Sequence, residues 1–438
     1  MAKTRTVAFH TLGCKLNFSE TSSISRMLEQ EGFEKKEFTD MADVYVINTC
    51  SVTDNADKEC RHLVRRIQRK APESLVVITG CYAQLKPREI ADIPGVDLVL
   101  GAAEKFNIAR HIRELTKGDS AKICSCDIEE VSDFHSSYSF NDRTRTFLKV
   151  QDGCDYNCSF CTIPLARGKS RSDTIENVLK NVNHLAAHGV KEIILTGVNL
   201  GDFSPPTPRR GDLGSPPKEN KEGFYSLIKE LEKVEGIQRY RISSIEPNLL
   251  TNEIIEFVAN SDKFMPHFHI PLQSGSNKIL GLMRRRYKKE LYAERVKLIK
   301  TLMPHCAIGV DVIVGFPGET EEDFKETFDF LHSLDISYLH VFTYSERDNT
   351  LAVTMKPVVA VHTRNERNKT LRNLSYMKMQ YFTEQHAGQQ RQVLFERLDK
   401  NAVRPDRQYM MEGYTDNYIK ITTPYRKEWV NEIVEWKI

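Results

Sequence analysis

The chain has 438 residues, of which 40% are hydrophobic and 28% are charged, and its formal net charge is +2. These values are ordinary for a globular protein of about two to four domains. Because the net charge is nearly neutral, the overall charge does not by itself indicate a nucleic-acid or membrane partner. The sequence contains no run of about 18 apolar residues, so no membrane span is predicted. The N-terminus lacks an apolar signal region, and we therefore expect a cytoplasmic protein. Ten cysteines in such a chain favour metal binding over a disulfide framework.

The first 118 residues alternate between predicted strands and helices. The pattern predicts strands at 7–12, 44–48, 75–79 and 97–100, and helices at 20–31, 53–70, 87–92 and 105–115. This order indicates a small doubly wound parallel sheet, whose ligands bind beyond the carboxyl ends of the strands.

One cysteine follows each of the first three predicted strands, namely Cys14, Cys50 and Cys81. Because the carboxyl ends of parallel strands meet at one edge of the sheet, the three thiols form a candidate metal site. The alternative is three buried small hydrophobic residues, since free cysteine is commonly buried. The cysteines outside this set and the central loop are interpreted as structural, including Cys124 and Cys126, which lie in a probable linker strand.

A second set of three cysteines lies near mid-chain, at Cys154, Cys158 and Cys161. Three closely spaced thiolates can hold three irons of a cubane cluster and leave the fourth iron without a protein ligand. An open metal position is typical of a catalytic site, because a substrate can enter there. The alternatives are ordinary loop cysteines or part of a zinc site; zinc would need a fourth ligand nearby, yet no Cys or His occurs between Cys161 and His184.

From residue 146 onward a strand–helix unit repeats, with strands predicted at 147–150, 192–196, 240–244, 268–272, 307–314 and 338–344. Six such units predict a partial parallel (β/α)6 barrel with its active site at the carboxyl ends of the strands. Polar or glycine-rich motifs lie at these ends and indicate a nucleoside-like ligand; they include Gly197, Asn199, Glu246, Gln273 and Asp311. Residues 202–222 are rich in proline and glycine, which indicates either a mobile lid or an incidental surface insertion.

The tail changes character after a helix predicted at 362–386. Strands predicted at 393–398, 409–414, 418–422 and 429–436, with a turn at Asp416-Asn417, indicate a small β-barrel. Its aromatic residues Tyr414, Tyr418 and Tyr425 either stack on unpaired bases or belong to the barrel core or rim. Two basic clusters, at 61–69 and 284–289, either contact RNA phosphates or face solvent.

The central loop resembles the signature of the radical S-adenosylmethionine (SAM) superfamily, with Phe160 as the aromatic residue before the last cysteine. The resemblance implies a [4Fe–4S] cluster whose open iron is chelated by SAM, and cleavage of SAM to a 5′-deoxyadenosyl radical. It also implies a set of residues that bind the cofactor: Phe160, Gly197, Asn199, Glu246, Gln273, Asp311 and Arg171.

The first-domain motifs Gly-Cys-x-x-Asn, Asn-Thr-Cys and Gly-Cys resemble those of the methylthiotransferases, in which these cysteines hold an auxiliary [4Fe–4S] cluster. Residues 164–172 match a Pro-x-x-Arg-Gly-x-x-Arg-Ser pattern of the same family, and the tail is similar to the RNA-binding TRAM domain. The domains implied are an N-terminal cluster-binding domain at 1–118, a linker at 119–139, a radical SAM core at 140–372 and a TRAM-like domain at 373–438.

The resemblance implies a tRNA methylthiotransferase with two [4Fe–4S] clusters that uses SAM as methyl donor and radical source. The Gly-Cys-Lys-Leu-Asn variant of the first motif is most similar to the branch that modifies C2 of N6-threonylcarbamoyladenosine beside the anticodon. The implied partners are the tRNA anticodon stem-loop and an electron donor such as flavodoxin or ferredoxin, with an unidentified sulfur donor, no membrane and a monomeric state. The alternatives are action on isopentenyladenosine or on a ribosomal-protein side chain, and a non-catalytic, metal-stabilised RNA-binding protein.

Overall fold

A computed structural model describes residues 4–50, 54–118, 120–205, 223–396 and 409–438. The chain forms two compact units. The first unit comprises Met1–Asp142, Phe147–Tyr156 and Cys161–Asp173, and the second comprises Arg143–Thr146, Asn157–Phe160 and Thr174–Ile438. Most of the predicted insertion, residues 206–222, lies outside the described residues.

The first unit alternates short strands and helices. Its elements are β1 (Thr6–Thr11), α1 (Lys15–Gln30), β2 (Glu34–Lys36), β3 (Val44–Thr49), α2 (Asp54–Lys70), β4 (Leu75–Gly80), α3 (Cys81–Leu85), α4 (Pro87–Ala91), β5 (Leu98–Leu100), α5 (Ile108–Glu114), β6 (Lys122–Cys124), β7 (Ser137–Tyr138), β8 (Thr146–Lys149, with Thr146 in the second unit), β9 (Gln151–Asp152), α6 (Ile163–Arg167) and β10 (Arg171–Ser172).

Six strands of this unit form a fully parallel sheet in the order β2-β1-β3-β4-β5-β6. Every residue of β3 and β4 is buried, as expected for central strands covered on both faces. Separate hydrophobic clusters pack on the two faces of the sheet, one with side chains of α2 and the other with side chains of α1 and α5. The predicted parallel sheet is confirmed.

Two features of the sheet differ from the prediction. Helix α1 begins at Lys15 rather than at residue 20, because its first turns bury polar side chains that a hydrophobic pattern does not mark, including Asn17 and Glu20. Strand β6 comes from the segment predicted as a linker strand, and it pairs in parallel with β5 at the edge of the sheet.

The second unit contains the barrel strands and the tail. Its elements are α7 (Ile175–Ala187), β11 (Glu192–Thr196), α8 (Phe224–Glu232), β12 (Arg239–Ile242), α9 (Asn252–Asn260), β13 (His267–His269), α10 (Asn277–Leu282), α11 (Lys289–Leu302), β14 (Ala307–Val314), α12 (Glu321–Ser333), β15 (Tyr338–Thr343), α13 (Val361–Glu384), β16 (Gln390–Phe395), β17 (Met410–Thr415), β18 (Lys420–Pro424) and β19 (Ile433–Lys437).

The strands from β11 to β15 are parallel, and helices connect them. Strand β11 pairs with β12, and β14 lies between β13 and β15. Two isolated parallel bridges join the two groups: one between Tyr240 and Phe264, and one beyond the end of β12 between Ser244 and His269. Each strand predicted for this unit is present, and the predicted motifs lie at or beyond the carboxyl ends of these strands.

The tail forms a four-stranded antiparallel sheet in the order β18-β17-β16-β19, with the predicted turn at Asp416-Asn417. The ring of Tyr418 stacks on His267 with 3.9 Å between centroids, and Tyr414 lies 4.8 Å from Tyr418. These contacts favour the packing interpretation of both tyrosines, whereas Tyr425 is partly exposed. No helix in the described parts of the chain is long and apolar enough to cross a bilayer.

Candidate cluster and nucleoside sites

Cys14, Cys50 and Cys81 each follow a strand of the first sheet, after β1, β3 and β4. Two glycines let the three loops approach one another. A Cβ on Gly13 would lie 2.8 Å from the Cys50 sulfur, and one on Gly80 would lie 2.3 Å from a carbonyl oxygen of the β3 end. Both glycines have positive φ angles, of 99° and 98°, which other residues rarely adopt.

Asn17 fastens the Cys14 loop to the Cys50 loop. Its Nδ2 donates to the carbonyls of Leu12 at 2.8 Å and Thr49 at 3.0 Å. Asn48 reinforces this link by donating from Nδ2 to the Asn17 carbonyl at 3.1 Å. The strand ends are therefore held in register by buried amides rather than by hydrophobic packing alone.

The thiols at this edge fit a soft metal site. All ten cysteines lie in the described parts of the chain, and none of them forms a disulfide. Burial raises the pKa of the Cys81 thiol, Arg167 opposes that rise, and Cys14 is near enough to add to it. A thiol that is buried beside another thiol and a guanidinium is readily deprotonated by a coordinated metal, because the thiolate is the ligand. The residues present therefore fit an iron–sulfur cluster held by three thiolates.

A fully buried ionic cluster lies beside these thiols. The Arg167 guanidinium donates to Asp152 Oδ1 at 2.8 Å, to Glu20 Oε1 at 3.1 Å and to Asn17 Oδ1 at 2.6 Å. Lys105 and Lys149 also contact Glu20 Oε1, at 2.7 and 3.1 Å. Arg171 also lies 3.8 Å from Asp152, so the cations outnumber the two carboxylates and the cluster has an excess of positive charge next to the candidate thiolates.

The charge pattern sets the protonation of the two acids. Burial by itself would raise the pKa of Glu20, but Arg167, Lys105 and Lys149 hold that pKa well below its ordinary value. The pKa of Asp152 is lowered by the same cations against the effect of burial. The cations, with Cys81, also line a small cavity in this unit. Both carboxylates therefore stay charged at neutral pH, and the cavity wall keeps its cationic character.

The central loop begins and ends in the first unit. The amide of Tyr156 donates to the Cys154 sulfur, and the amide of Ile163 donates to the Cys161 sulfur, each at 3.4 Å. Gly153 has a φ of 71°, and a Cβ there would lie 2.0 Å from the Lys169 carbonyl oxygen. Amide donors of this kind stabilise thiolates, which suits both cysteines as metal ligands.

The third loop cysteine, Cys158, lies in the second unit beside a buried ion pair. Arg285 donates to the Cys158 sulfur at 3.1 Å and also pairs with Glu246. Burial raises the pKa of Cys158, and Arg285 counteracts it. From the sequence, residues 284–289 were expected either to contact RNA phosphates or to face solvent. This role of Arg285 was missed because its side chain is almost fully buried, whereas Arg284 and Arg286 are exposed.

The remaining predicted residues at the barrel rim form a connected group. Asn199 donates from Nδ2 to Asp202 at 2.8 Å and accepts from the Glu246 amide at 3.4 Å. Gln273 has a positive φ of 70° and exchanges backbone hydrogen bonds with β14, one of them to the Asp311 carbonyl at 2.8 Å. A non-glycine residue held in this conformation is typical of a functional site.

Asp311 lies in a hydrogen-bonded chain across neighbouring strands. His269 Nε2 contacts Asp311 Oδ1 at 2.8 Å, and His269 Nδ1 contacts Ser244 Oγ at 2.9 Å. His340 contributes a third side chain whose ligand atom lies within 4.8 Å of those of His269 and Asp311. Neither histidine was assigned a role from the sequence.

Three further residues were predicted to bind the cofactor. Phe160 packs against an apolar cluster that contains Phe316, and Gly197 directly follows β11. Arg171 is in the first unit, where its Nη1 donates to the carbonyls of Arg167 at 2.8 Å and Lys169 at 3.0 Å. The guanidinium is thereby fixed beside the central loop.

Comparison with known proteins gives two kinds of match to the sequence. Residues 6–101 match the Uncharacterized protein family UPF0004, and residues 148–331 match the Radical SAM superfamily. The chain is 41% identical to the threonylcarbamoyladenosine tRNA methylthiotransferase MtaB of Bacillus subtilis (strain 168), over 99% of this chain and 93% of that protein. It is 40% identical to the protein of the same name from Aquifex aeolicus (strain VF5), over 96% and 97% of the two chains.

A relative with a different name is less similar. The tRNA-2-methylthio-N(6)-dimethylallyladenosine synthase of Syntrophus aciditrophicus (strain SB) is 32% identical over 90% of this chain and 84% of its own length. Among solved structures, the radical S-adenosylmethionine methyltransferase TsrM from Kitasatospora setae, with cobalamin and a [4Fe-4S] cluster bound, superposes with a TM-score of 0.56 at 16% identity. That match covers 80% of this chain and 77% of the other, and it shows the fold.

Proposed function

The chain belongs to the threonylcarbamoyladenosine tRNA methylthiotransferase family, and on that premise we propose that it adds a methylthio group to C2 of N6-threonylcarbamoyladenosine in tRNA. The observation that carries the proposal is the identity of about two residues in five to relatives of that name over nearly the whole chain. The enzyme is a radical SAM enzyme whose cofactors are SAM and two [4Fe–4S] clusters.

We assign one cluster to each set of cysteines. Cys14, Cys50 and Cys81 would hold the auxiliary cluster, and Cys154, Cys158 and Cys161 would hold the cluster that binds SAM. When bound, these groups supply one-electron cleavage of SAM at one site and a place for transferable sulfur at the other. Three thiolates per cluster leave one iron of each accessible to a substrate or to sulfur.

The protein's own residues position and insulate these groups. Arg285 donates to the Cys158 sulfur and also pairs with Glu246, so the buried guanidinium beside the thiolate has an acidic partner as well. Phe160 and Phe316 pack next to the loop and exclude water from that side. In the first unit, the excess positive charge around Arg167 offsets the negative charge of thiolates at Cys14 and Cys81.

At the barrel rim, polar side chains orient the nucleoside-like ligands. We assign contacts with SAM to Gly197, Asn199, Glu246, Gln273 and Asp311. The backbone amide of Glu246 donates to the side-chain oxygen of Asn199, and the Glu246 carboxyl is buried. This bond fixes the two side chains relative to each other, and both offer oxygen acceptors to a ligand. Arg171 would support the loop that carries the SAM-binding cluster, by holding the carbonyls that follow it.

The proposal extends to organisation and partners. The domains are a cluster-binding domain at 1–118, a linker at 119–139, a radical SAM core at 140–372 and a TRAM-like RNA-binding barrel at 373–438. The substrate is the anticodon stem-loop of tRNA, the enzyme acts as a cytoplasmic monomer, and flavodoxin or ferredoxin supplies electrons. The antiparallel tail sheet supports this assignment for the last domain.

Mass spectrometry of tRNA nucleosides tests the substrate. In cells lacking the gene, 2-methylthio-N6-threonylcarbamoyladenosine should disappear and its unthiolated precursor should accumulate. Loss of the isopentenyl derivative instead would assign the chain to the other tRNA branch, and an unchanged nucleoside pattern would contradict a tRNA substrate.

A further inference from the structure

Two more thiols lie at the edge of the first sheet that carries Cys81. Strand β6 ends at Cys124, which is the register partner of Leu100 at the end of β5, and Cys126 follows two residues later. Because β4, β5 and β6 are adjacent and parallel, these thiols lie at the same carboxyl end of the sheet as Cys81. Both are partly exposed, unlike the buried Cys60 and Cys306.

Cys124 is part of a carboxylate–imidazole–thiol chain. Its sulfur lies 3.7 Å from His111 Nδ1, and His111 Nε2 lies 2.8 Å from Glu104 Oε2. Asn107 also donates to Glu104 Oε2, at 3.2 Å, which orients the carboxylate. The imidazole is largely buried, with 11% of its side chain exposed. A nucleophile, a base and a group that orients the base are the parts of an activated thiol site.

The titration behaviour of these groups agrees with their geometry. Burial, with a contribution from nearby acids, raises the pKa of the Cys124 thiol, so a base must take its proton before it can attack. The hydrogen bond from His111 is the main cause that lowers the pKa of Glu104. The carboxylate thus stays charged and stabilises the imidazolium that forms.

A hydrogen-bonded bridge joins this thiol pair to the helix that begins at Cys81. Gln84, on the first turn of α3, donates to the Cys126 carbonyl at 2.9 Å and accepts from the Ala102 amide at 2.7 Å. The same loop supplies Lys105 to the cationic cavity lined by Cys81. Glu104 and Lys105 are consecutive, so the thiol chain and the cavity share one loop.

We propose that Cys124 is a sulfane-sulfur acceptor that receives sulfur for the reaction from a persulfide donor. The donor class is R–S–SH, either a low-molecular-weight or a protein persulfide. His111 takes the Cys124 proton, the sulfur attacks the outer sulfur of the donor, and the donor S–S bond breaks with its electron pair leaving on RS⁻. His111 returns the proton to RS⁻, so the products are Cys124–S–SH and RSH. This inference rests on the proposed function, which requires a sulfur source.

The test is transfer of sulfur to the full-length, anaerobically prepared holoenzyme from glutathione persulfide. After alkylation and trypsin digestion, tandem mass spectrometry of the peptide that follows Lys122 places any extra sulfur atom on Cys124 or Cys126. We expect a persulfide on Cys124 in the wild type and in Cys126→Ser, and none in Cys124→Ser. His111→Ala should slow labelling by about 100-fold, the usual effect of losing a general base. His62→Ala, an exposed histidine on α2, is the matched control and should label at the wild-type rate.

Labelling is read without tRNA, so it separates this inference from the proposed function. Absence of sulfur from Cys124, labelling of Cys126 alone, or equal labelling rates for His111→Ala and His62→Ala would each overturn the inference, even in an enzyme that methylthiolates tRNA. Labelled Cys124 in an enzyme that never modifies tRNA would support the acceptor and contradict the proposed function. In turnover, the ratio of product made with persulfide to product made with inorganic sulfide should fall at least about tenfold in Cys124→Ser.

Discussion

A buried arginine accompanies a candidate metal-ligating thiol in each unit. Arg167 acts on Cys81 and is held by Glu20 and Asp152, while Arg285 donates to Cys158. In both places a carboxylate neutralises part of the arginine's charge. An unpaired buried cation would be costly, but a cation shared between an acid and a thiolate is satisfied from two sides. The arginines therefore prepare each site for negative charge before a cluster is bound.

Arg285→Met should destabilise the second unit by about 3–5 kcal/mol, because it leaves the Glu246 carboxylate buried without its partner. Urea unfolding of the iron-free protein measures this loss. Arg284→Met removes an exposed neighbour and should lower the unfolding free energy by no more than about 0.5 kcal/mol. Equal midpoints for the two variants would contradict the structural role of the ion pair.

Glu20 gives the first unit a stability that depends on pH. Its folded-state pKa lies below the unfolded value of about 4.3, so its contribution is complete above about pH 5 and is lost as pH falls toward the folded-state pKa. Glu20→Gln should therefore lower the unfolding free energy at pH 7 and flatten its decline between pH 6 and pH 3.5. Denaturant midpoints across that range provide the measurement. Glu37→Gln, at an exposed position, should keep the wild-type slope, and a wild-type slope in Glu20→Gln would argue against the ionic cluster.

At the scale of elements, the direct junction of β4 and α3, at Gly80 and Cys81, limits how closely the cysteine-bearing strand ends can approach. Gly80→Ala combines an unfavourable positive φ with a Cβ placed 2.3 Å from the Thr49 carbonyl oxygen. We expect a loss of about 1–3 kcal/mol and a fall in cluster iron, because the Cys81 loop must move away from the Cys50 loop. Iron analysis and urea unfolding check the two effects.

Gly32→Ala is the matched control for that variant. Gly32 has a similar φ of 87°, but no atom lies within 4 Å of its added Cβ. It should lose about 1 kcal/mol of stability and keep its iron. If both variants retained iron equally, the close approach of the loops would have no bearing on the metal site.

The elements also show where prediction from sequence succeeds and where it ends. Strands such as β3 and β14 are mostly apolar, so their bounds were predicted to within a residue. Helix α1 was predicted to start too late, because its first turns bury polar side chains. Helix α3 was missed, because it is a single turn after Gly80 that hydrophobic periodicity does not mark. The position of the three sheet cysteines at the carboxyl ends of the strands follows from the strand order, which the local hydrophobic pattern predicts.

The partners of those cysteines depend on contacts between distant positions. Arg167 meets Glu20 across 147 residues of sequence, and Arg285 meets Cys158 across 127. In the sequence Arg285 is indistinguishable from the exposed arginines on either side of it. Only the packed structure decides which member of a charged run is buried, so these site residues were beyond local reasoning.

At the scale of the molecule, the two proposed clusters predict the total iron content. A variant with Cys14, Cys50 and Cys81 all changed to alanine should bind about half the iron and sulfide of the wild type, because two clusters of equal size are expected. Cys60→Ala removes a buried thiol of the same unit that belongs to neither set, and it should keep full iron. Full iron in the triple variant would remove the auxiliary cluster from these residues.

Buried arginine side chains contribute to the attachment of the tail sheet to the preceding strands, beside the apolar cluster that the two share. Arg241 on β12 donates to Glu192 at 2.9 Å and to the carbonyls of Thr415 and Asp416 at 2.7 and 2.9 Å. Arg241→Leu leaves Glu192 without its closest cation and leaves two buried carbonyls without these donors. Loss of these bonds should cost about 2 kcal/mol locally.

Such a loss corresponds to about thirtyfold faster hydrogen exchange for the amides of β16 to β19, while the exchange of β14 should stay unchanged. Lys437→Gln alters an exposed charge of the same sheet and should leave exchange unaltered. Faster exchange throughout the second unit would mean that Arg241 stabilises the barrel itself.

Because the tail is the part that we propose binds RNA, Arg241→Leu should weaken tRNA binding without lowering the iron content if it loosens the tail sheet alone. Filter binding measures the tRNA affinity, and iron analysis measures the cluster content.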